Sequence, residues 1–279
     1  MVISFTTVND LSAYIREIKP TKTIGFVPTM GALHQGHISL IEQSKKICDI
    51  TVCSIFVNPT QFNNASDLEN YPRLIENDLK LLLENGCDVL FLPSVEQMYP
   101  NGLQKNEEDY GQVLKLFEGL HRPGHFDGVI TVVARLFDIV KPHKSFFGQK
   151  DYQQCIVVAE LIKRKFPEIE LHICPIQRET SGLAMSSRNL RLNETQKADA
   201  LLIYKALEHI KTGFGQKDLP RLIDEAKEII TSSGLLTIEY LDVANAINLE
   251  PIENSNTKAV ALAAVHCGPV RLIDNILLD

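Results

Sequence analysis

Two histidines separated by two residues form the part of this chain best suited to chemistry. His34 and His37 follow an apolar run at residues 23–27, which Pro28 ends, and the apolar positions after Gly36 have helical spacing. Both imidazoles are therefore predicted where a strand leads into a helix. A helix N-terminus offers unpaired backbone N–H groups and the positive end of the helix dipole, which suit phosphate. We predict that the two rings contact the phosphates of a nucleotide.

The same histidines also fit a pair of structural imidazoles or half of a zinc site. A zinc site needs further ligands, and the six cysteines, none of them in a C-x-x-C pair, supply no cluster. We interpret these cysteines as free thiols of a protein from a reducing compartment. The position between a strand and a helix favours the nucleotide.

A second group of chemical residues lies at 148–154. Lys150 stands in the polar turn Gly148-Gln149-Lys150-Asp151, which precedes a helix predicted over residues 152–165. Its ammonium is suited to neutralising an α-phosphate, although a solvated charge at a helix end explains it equally well. Gln154, one turn into the helix, presents an amide to a neutral polar substrate.

The third group is the loop Met185-Ser186-Ser187-Arg188-Asn189. Two hydroxyls and a guanidinium stabilise transferring phosphates by hydrogen bonds and charge. The alternative is a solvated serine-rich loop with a surface arginine. Since the loop stands at a change of pattern in the chain, we predict that it closes over the histidines.

Alternating strands and helices must position these groups. Strand-like runs occur at residues 23–27, 50–57, 87–92, 145–147 and 170–176. This alternation predicts an α/β fold, a Rossmann-like doubly wound parallel sheet, whose ligands bind beyond the carboxyl ends of the strands. The segments H-Q-G-H, N-P-T-Q-F and G-Q-K-D all follow strands, so we expect one site at that edge.

The pattern changes after residue 176. Residues 177–192 are polar and are predicted as a loop. Two amphipathic helices, at 193–212 with Asn193 as cap and at 218–231, precede strand-like runs at 236–243, 259–266 and 270–277. The last two runs are joined by Gly268-Pro269, which predicts a hairpin. We therefore predict two domains: a nucleotide-binding domain at 1–176 and a smaller α+β C-terminal lid domain at 177–279.

Composition narrows the class of protein. The chain has 279 residues, 44% of them apolar, and a formal net charge of −7. Acidity argues against nucleic acid as the main partner. Neither a membrane-length apolar run nor a secretory signal is visible, so we expect a cytoplasmic protein that does not bind membranes.

Six sequence blocks together resemble the pantothenate synthetase (pantoate–β-alanine ligase) family, within the H-x-G-H nucleotidyltransferase superfamily. In chain order they are PTMGALHQGH, VNPTQF, YPR, RPGHFDGVITVV, FFGQKDYQQ and GLAMSSRN. The resemblance is dense over residues 23–192. Beyond residue 192 the resemblance rests mainly on the length of the chain and on the segment VHCGPVRLIDN. The loop at 185–189 is similar to the K-M-S-K-S loop of the superfamily.

The resemblance implies the reaction. Pantoate attacks the α-phosphate of Mg-ATP to give pantoyl adenylate and pyrophosphate, and β-alanine then displaces AMP to give pantothenate. It implies ATP as a substrate, Mg²⁺, a homodimer and no covalent intermediate on the enzyme. A catalytic Ser–His or Cys–His set is therefore not required.

It also implies roles for individual residues. The catalytic group would be His34, His37, Lys150, Ser186, Ser187 and Arg188, with His37 as the proton donor to pyrophosphate. The ATP-binding group would be Met30, Gly31, Ala32, Leu33, His34, Gln35, Gly36, His37, Gly148, Gln149, Lys150, Asp151, Gln177, Met185, Ser186, Ser187 and Arg188. Gln61 and Gln154 would bind pantoate, and Gln61 would also lie near β-alanine. Asp78 stands where the family holds Mg²⁺, but its neighbour Asn77 is less acidic than the family pattern, so phosphates and water would supply most ligands.

The chain departs from the family at Gln177 and Ser181, where valine and aspartate are usual, and at Leu74, for which we assign no consequence. If Gln177 meets adenine through its backbone, its side chain is of no consequence. Two other functions remain open: another H-x-G-H nucleotidyltransferase acting on a phosphate ester, and a catalytically silent nucleotide-binding protein. A class I tRNA synthetase fits less well, because the chain is acidic and its second domain is small.

Overall fold

A parallel sheet organises the first part of the chain in the computed structural model, which describes residues 2–63, 68–103, 106, 108–252 and 257–278. The chain divides into two compact units. The first consists of Met1–Gly148 and Gln154–Pro175, and the second of Gln149–Gln153 and Ile176–Asp279. The assignment of two domains, divided after residue 176, stays a prediction.

The sheet of the first unit has six strands in the order β1-β4-β3-β2-β5-β6, and each neighbouring pair is parallel. The strands are β1 (Ile3–Phe5), β2 (Ile24–Thr29), β3 (Ile50–Ile55), β4 (Val89–Phe91), β5 (Lys144–Gly148) and β6 (Glu170–Cys174). The helices between them include α1 (Val8–Ile18), α2 (Gln35–Ile47), α3 (Ile75–Glu84), α4 (Val95–Met98), α5 (Phe117–His121), α6 (His125–Val140) and α7 (Tyr152–Lys165). The α/β fold class predicted from the sequence is confirmed.

Helix α2 packs closely on the sheet near its C-terminal end. Gly25 on β2 makes the approach possible, because a Cβ there would lie 2.1 Å from Oγ of Ser44 on α2. The Ser44 hydroxyl is hydrogen-bonded to the Thr51 hydroxyl on β3 (2.7 Å). Since β2 is buried along most of its length, this contact ties α2 to the centre of the sheet.

The second unit packs two helices on an antiparallel sheet. Helices α8 (Glu194–Gly213) and α9 (Leu219–Thr231) are capped by Asn193 and Asp218. Strands β7 (Leu236–Asn245), β8 (Ala259–Cys267) and β9 (Val270–Leu278) pair in that order, and β8 and β9 form the predicted hairpin. Apolar side chains of α8 and α9 form its core with the sheet.

Several local features differ from the sequence prediction. Strand β1 was not predicted, because its three residues are too few to show a period. The predicted strand at 50–57 ends at Ile55. Residues 177–192, predicted as a loop, contain a short antiparallel pairing and a 3₁₀ helix. No helix in the described part of the chain has the length and apolar character needed to cross a membrane.

Candidate active site

His34 and His37 lie at the N-terminus of α2 with their ring centroids 4.1 Å apart. Nδ1 of His34, the N-cap residue, accepts the backbone N–H of Gly36 (3.1 Å), and the backbone N–H of His34 donates to Nδ1 of His37 (3.3 Å). Because both Nδ1 atoms accept hydrogen bonds, each neutral ring carries its proton on Nε2. Each imidazole can thus donate from Nε2 to an anionic oxygen while its Nδ1 stabilises the helix terminus.

The loop before these histidines is held by Asp78 of α3. Its buried carboxylate accepts the backbone N–H of Ala32 (2.9 Å) and of Leu33 (2.7 Å), one at each oxygen. Gly31 and Ala32 have positive φ angles of 82° and 49°, a conformation that is strained for alanine. Burial raises the pKa of Asp78, and the two backbone hydrogen bonds oppose that rise. The carboxylate therefore fixes the turn that leads into α2.

This arrangement bears on the predicted magnesium ligand. Among the described residues, no group of three His, Cys, Asp or Glu side chains is placed to hold a metal ion. Both oxygens of Asp78 already accept backbone N–H groups. The donor set does not fit a magnesium site built by the protein, and Mg²⁺ ligation by Asp78 stays a prediction.

Gln61 is buried in the 3₁₀ helix Pro59–Gln61, just beyond β3. Its Oε1 accepts from Nδ2 of Asn58 (3.1 Å), and its Nε2 donates to Sδ of Met30 (3.2 Å). Nδ1 of His125 lies 2.8 Å from the backbone carbonyl oxygen of Gln61. A Cβ at Gly128 of α6 would lie 2.7 Å from the backbone nitrogen of Gln61, so α6 packs directly against Gln61. The side-chain amide thus has one partner at each end, Asn58 and Met30, while His125 and α6 hold the backbone of Gln61.

Gln154 lies half-buried in the first turn of α7, soon after β5 ends at Gly148. Strands β3, β2 and β5 are neighbours in the sheet. Gln61, the two histidines and Gln154 follow the carboxyl ends of those three strands in that order. The structure therefore brings these four predicted residues to one sheet edge, where parallel α/β proteins bind their ligands.

A cavity of about 270 Å³ opens at the ends of β2, β3 and β4. The side chains of Met30, Phe56, Arg73, Asp78, Pro93 and Ser94 are among those that line it. Met30 therefore lines this cavity and accepts a hydrogen bond from Gln61.

Apart from Gly148, which ends β5 in the first unit, the remaining predicted residues belong to the second unit. Lys150 is half-buried in the 3₁₀ turn Gln149–Asp151. Residues 177–185 form a hairpin in which the N–H of Met185 donates to the carbonyl of Gln177 (2.9 Å), and Arg178 pairs with Ala184. The backbone of Gln177 is thus fixed by the hairpin, whatever its side chain.

The serine-rich loop continues directly from this hairpin as the 3₁₀ helix Ser187–Arg191. The Ser186 hydroxyl caps it by accepting the N–H of Arg188 (3.3 Å). Asn189 donates through Nδ2 to Glu179 (3.1 Å) and to the carbonyl of Ala184 (3.0 Å). These bonds hold Ser186, Ser187 and Arg188 to the hairpin, so the predicted loop has a defined structure within its own unit. The two sets of predicted residues belong to different units.

A sequence model of the family described as "Pantoate-beta-alanine ligase" matches residues 3–277. The chain belongs to the pantoate–β-alanine ligase family. Pantothenate synthetase from Thermosipho africanus is 44% identical to it, over 97% of this chain and 98% of the relative. The pantothenate synthetase of Cytophaga hutchinsonii is also 44% identical, over 99% of both chains.

Solved structures of the pantoate–β-alanine ligase family share the fold. Pantothenate synthetase from Thermus thermophilus superposes with a TM-score of 0.93 at 38% identity, covering 99% of both chains. A pantoate–β-alanine ligase from Francisella tularensis, complexed with beta-gamma ATP and beta-alanine, gives 0.83 at 36% identity over 99% of this chain and 98% of that one. The resemblance seen in the sequence is confirmed, and the chain is a ligase that forms an amide bond between pantoate and β-alanine.

Two residues support this candidate site in ways that were not predicted. Asn58 orients Gln61, donates to the carbonyl of Gly128 (3.1 Å) and accepts from the Tyr99 hydroxyl (2.8 Å). The sequence signal that could have identified Asn58 was its place just after the carboxyl end of a predicted strand. The role of Asp78 in holding the loop had no local signal, because its partners lie 45 and 46 residues earlier in the chain.

Proposed function

We propose that the chain joins pantoate to β-alanine in two steps and uses Mg-ATP to activate pantoate as an acyl adenylate. The observation that carries the proposal is the pair His34 and His37, whose Nδ1 atoms stabilise the start of α2 while Nε2 carries the proton. Phosphate oxygens are suitable acceptors at such a terminus. The related Francisella tularensis enzyme, complexed with beta-gamma ATP and beta-alanine, supports the same substrates.

In the first step a carboxylate oxygen of pantoate attacks the α-phosphorus of ATP, and pyrophosphate leaves with the electrons of the broken P–O bond. In the second step the amine of β-alanine attacks the acyl carbon and loses a proton, and AMP leaves as the amide forms. Carboxylate is a poor acyl donor, whereas AMP is a good leaving group. The protein forms no covalent bond, so its residues act by positioning and charge stabilisation.

The first unit binds phosphate and pantoate in this scheme. His34 and His37 contact the phosphates, and Nε2–H of His37 supplies the proton to departing pyrophosphate. The backbone of residues 30–37 lines the nucleotide, and Asp78 maintains its turn. Gln61 and Gln154 bind the hydroxyl and carboxylate groups of pantoate, and Gln61 also faces β-alanine.

The second unit supplies positive charge and hydroxyl groups. Lys150 and Arg188 offset the charge that develops on the five-coordinate phosphorus, and Ser186 and Ser187 donate hydrogen bonds to it. Gly148–Asp151, Gln177 and Met185 complete the nucleotide site. Magnesium enters as the counter-ion of ATP, bound mainly by phosphates and water.

We also propose a homodimer in the cytoplasm. The dimer rests on resemblance to the family, and the location on the interpretation of the six cysteines, none of them in a C-x-x-C pair, as thiols of a reducing compartment. Sedimentation at micromolar concentration should give twice the chain mass of 31.3 kDa. A sedimentation profile of monomer alone would contradict the dimer.

Exchange of labelled pyrophosphate into ATP tests the reaction. We expect exchange that requires pantoate and proceeds without β-alanine, because adenylate formation is the reversible step. Exchange that requires a phosphate ester instead would identify another nucleotidyltransferase. ATP binding without any exchange would identify a silent nucleotide-binding protein.

A further inference from the structure

Two adjacent polar residues on β9, Asp274 and Asn275, are buried inside the second unit, with exposures of 6% and 2%. Side chains alternate between the two faces of a strand, so they point to opposite sides of the sheet. A buried carboxylate and a buried amide are costly unless each finds hydrogen-bond partners. Their partners are the two segments that carry the charged residues of the proposed reaction.

Asn275 holds the turn that bears Lys150. Its Nδ2 donates to the carbonyl of Gln149 (2.9 Å) and to that of Lys150 (3.0 Å), and its Oδ1 accepts from Nε2 of Gln149 (3.2 Å). One amide thus fixes two successive peptide groups. The ammonium of Lys150 takes no part in these bonds, so Asn275 sets the backbone from which that charge projects.

Asp274 holds the hairpin that leads to the serine-rich loop. Its carboxylate accepts from both terminal nitrogens of Arg178 (2.6 and 2.9 Å) and from the backbone N–H of Asn275 (2.8 Å). Arg178 also donates to the carbonyl of Gly182 (3.2 Å), and its guanidinium lies over the Tyr204 ring at 3.8 Å. Because Asp274 neutralises Arg178, this arginine is a structural link rather than a phosphate ligand.

We propose that Asn275 and Asp274 are positioning residues for adenylate formation, and that Asn275 acts through Lys150. One strand then sets the geometry of both phosphate-binding segments of this unit. The proposal rests on the proposed function. Misplacing a catalytic group by about 1 Å can lower the rate roughly 100-fold. Loss of the bonds that fix the backbone of Lys150 should therefore lower the rate of adenylate formation measurably.

The test compares Asn275→Ala with Thr237→Ala, a change at an exposed position on β7 of the same sheet. We expect Asn275→Ala to lower kcat for pantoate-dependent pyrophosphate exchange by about 10- to 100-fold, with KM for pantoate changed by less than about threefold. With preformed pantoyl adenylate and β-alanine, the variant should retain nearly the native rate. Thr237→Ala should retain both rates.

A double variant separates positioning from general damage to the fold. If Asn275 acts through Lys150, adding Asn275→Ala to Lys150→Ala should cost no further activity, because the group being positioned is already gone. Additive losses would overturn the proposal, as would native exchange in Asn275→Ala. If Asn275→Ala does not fold, Asn275→Ser carries the same comparison, since its hydroxyl can donate to one of the two carbonyls. Absence of pantoate-dependent pyrophosphate exchange in the native protein would instead contradict the proposed function itself.

Discussion

His37 has two separable roles at the scale of the single residue. Its Nδ1 accepts the backbone N–H of His34, and its Nε2–H is the proposed proton donor. His37→Ala removes both roles, whereas His37→Gln keeps an acceptor at a position where glutamine commonly completes a capping box. We expect both variants to lose roughly 10²–10⁴ in pyrophosphate exchange.

Thermal unfolding of the same variants separates chemistry from capping. His37→Ala should also lose about 1 kcal/mol of stability, the net value of one hydrogen bond, whereas His37→Gln should not. Native exchange rates in a folded His37→Gln protein would rule out the proton-donor role.

Asp78 tests whether a buried acid near the site is a magnesium ligand or a support for the loop. Asp78→Asn replaces one acceptor by an NH₂ group that faces a backbone N–H, which should cost about 1–3 kcal/mol in unfolding free energy. We expect exchange activity to fall with an unchanged magnesium concentration for half-maximal rate. Asp49→Asn is the control, since Asp49 accepts the N–H of Thr23 in an exposed setting. A rise in the magnesium requirement of Asp78→Asn alone would favour ligation.

At the scale of elements, α8 and α9 are linked by a charge cluster around Glu225. Its carboxylate contacts Lys217 (2.9 Å), His209 (2.9 Å) and Arg221 (3.0 Å), and hydrogen bonds from these three lower the pKa of Glu225 to about 2. The pKa is lower in the folded chain than in the unfolded one. The cluster therefore stabilises the fold above the usual glutamate pKa, and this contribution is lost as pH falls toward 2.

Thermal unfolding between about pH 6 and pH 3 measures this contribution. Glu225→Gln should lower the midpoint temperature of unfolding at the upper end of this pH range. The difference in midpoint temperature between the variant and the native protein should shrink as the pH falls. Glu228→Gln, an exposed glutamate on the same helix, should show little effect at either end. A midpoint difference for Glu225→Gln that is constant with pH would contradict the assignment.

Elements were more predictable from the sequence than the contacts between them. Helix α7 was predicted with its observed bounds and Asn193 as the cap of α8, because periodicity and capping residues are local signals. The carboxyl ends of β2, β3 and β5 were predicted to share a site, since parallel topology dictates that edge. The pairings of Asp78 with the loop and of Asn275 with the Lys150 turn were not predictable. Each joins residues more than forty positions apart, and only the folded chain brings them together.

At the scale of the whole molecule, the proposed phosphate ligands are divided between the two units. His34 and His37 belong to the first, and Ser186, Ser187 and Arg188 belong to the second. An ATP molecule that contacts both sets must bridge the units. Closure would also exclude water, which hydrolyses acyl adenylates. We therefore predict that ATP binding closes the second unit as a lid.

Hydrogen exchange at residues 178–190 tests this lid. The N–H groups of Glu179, Gly182 and Met185 already donate to backbone carbonyls, so ATP must slow exchange beyond an existing protection. We expect ATP to do so at this segment and to leave α9 unchanged, which makes α9 an internal reference. Arg188→Ala should weaken the effect and slow adenylate formation, because it removes a charge that contacts phosphate only in the closed form. If ATP binds the native protein and hydrogen exchange at residues 178–190 does not change, the prediction of closure is wrong. The hairpin and its serine-rich extension would then be a fixed wall of the site or a surface loop.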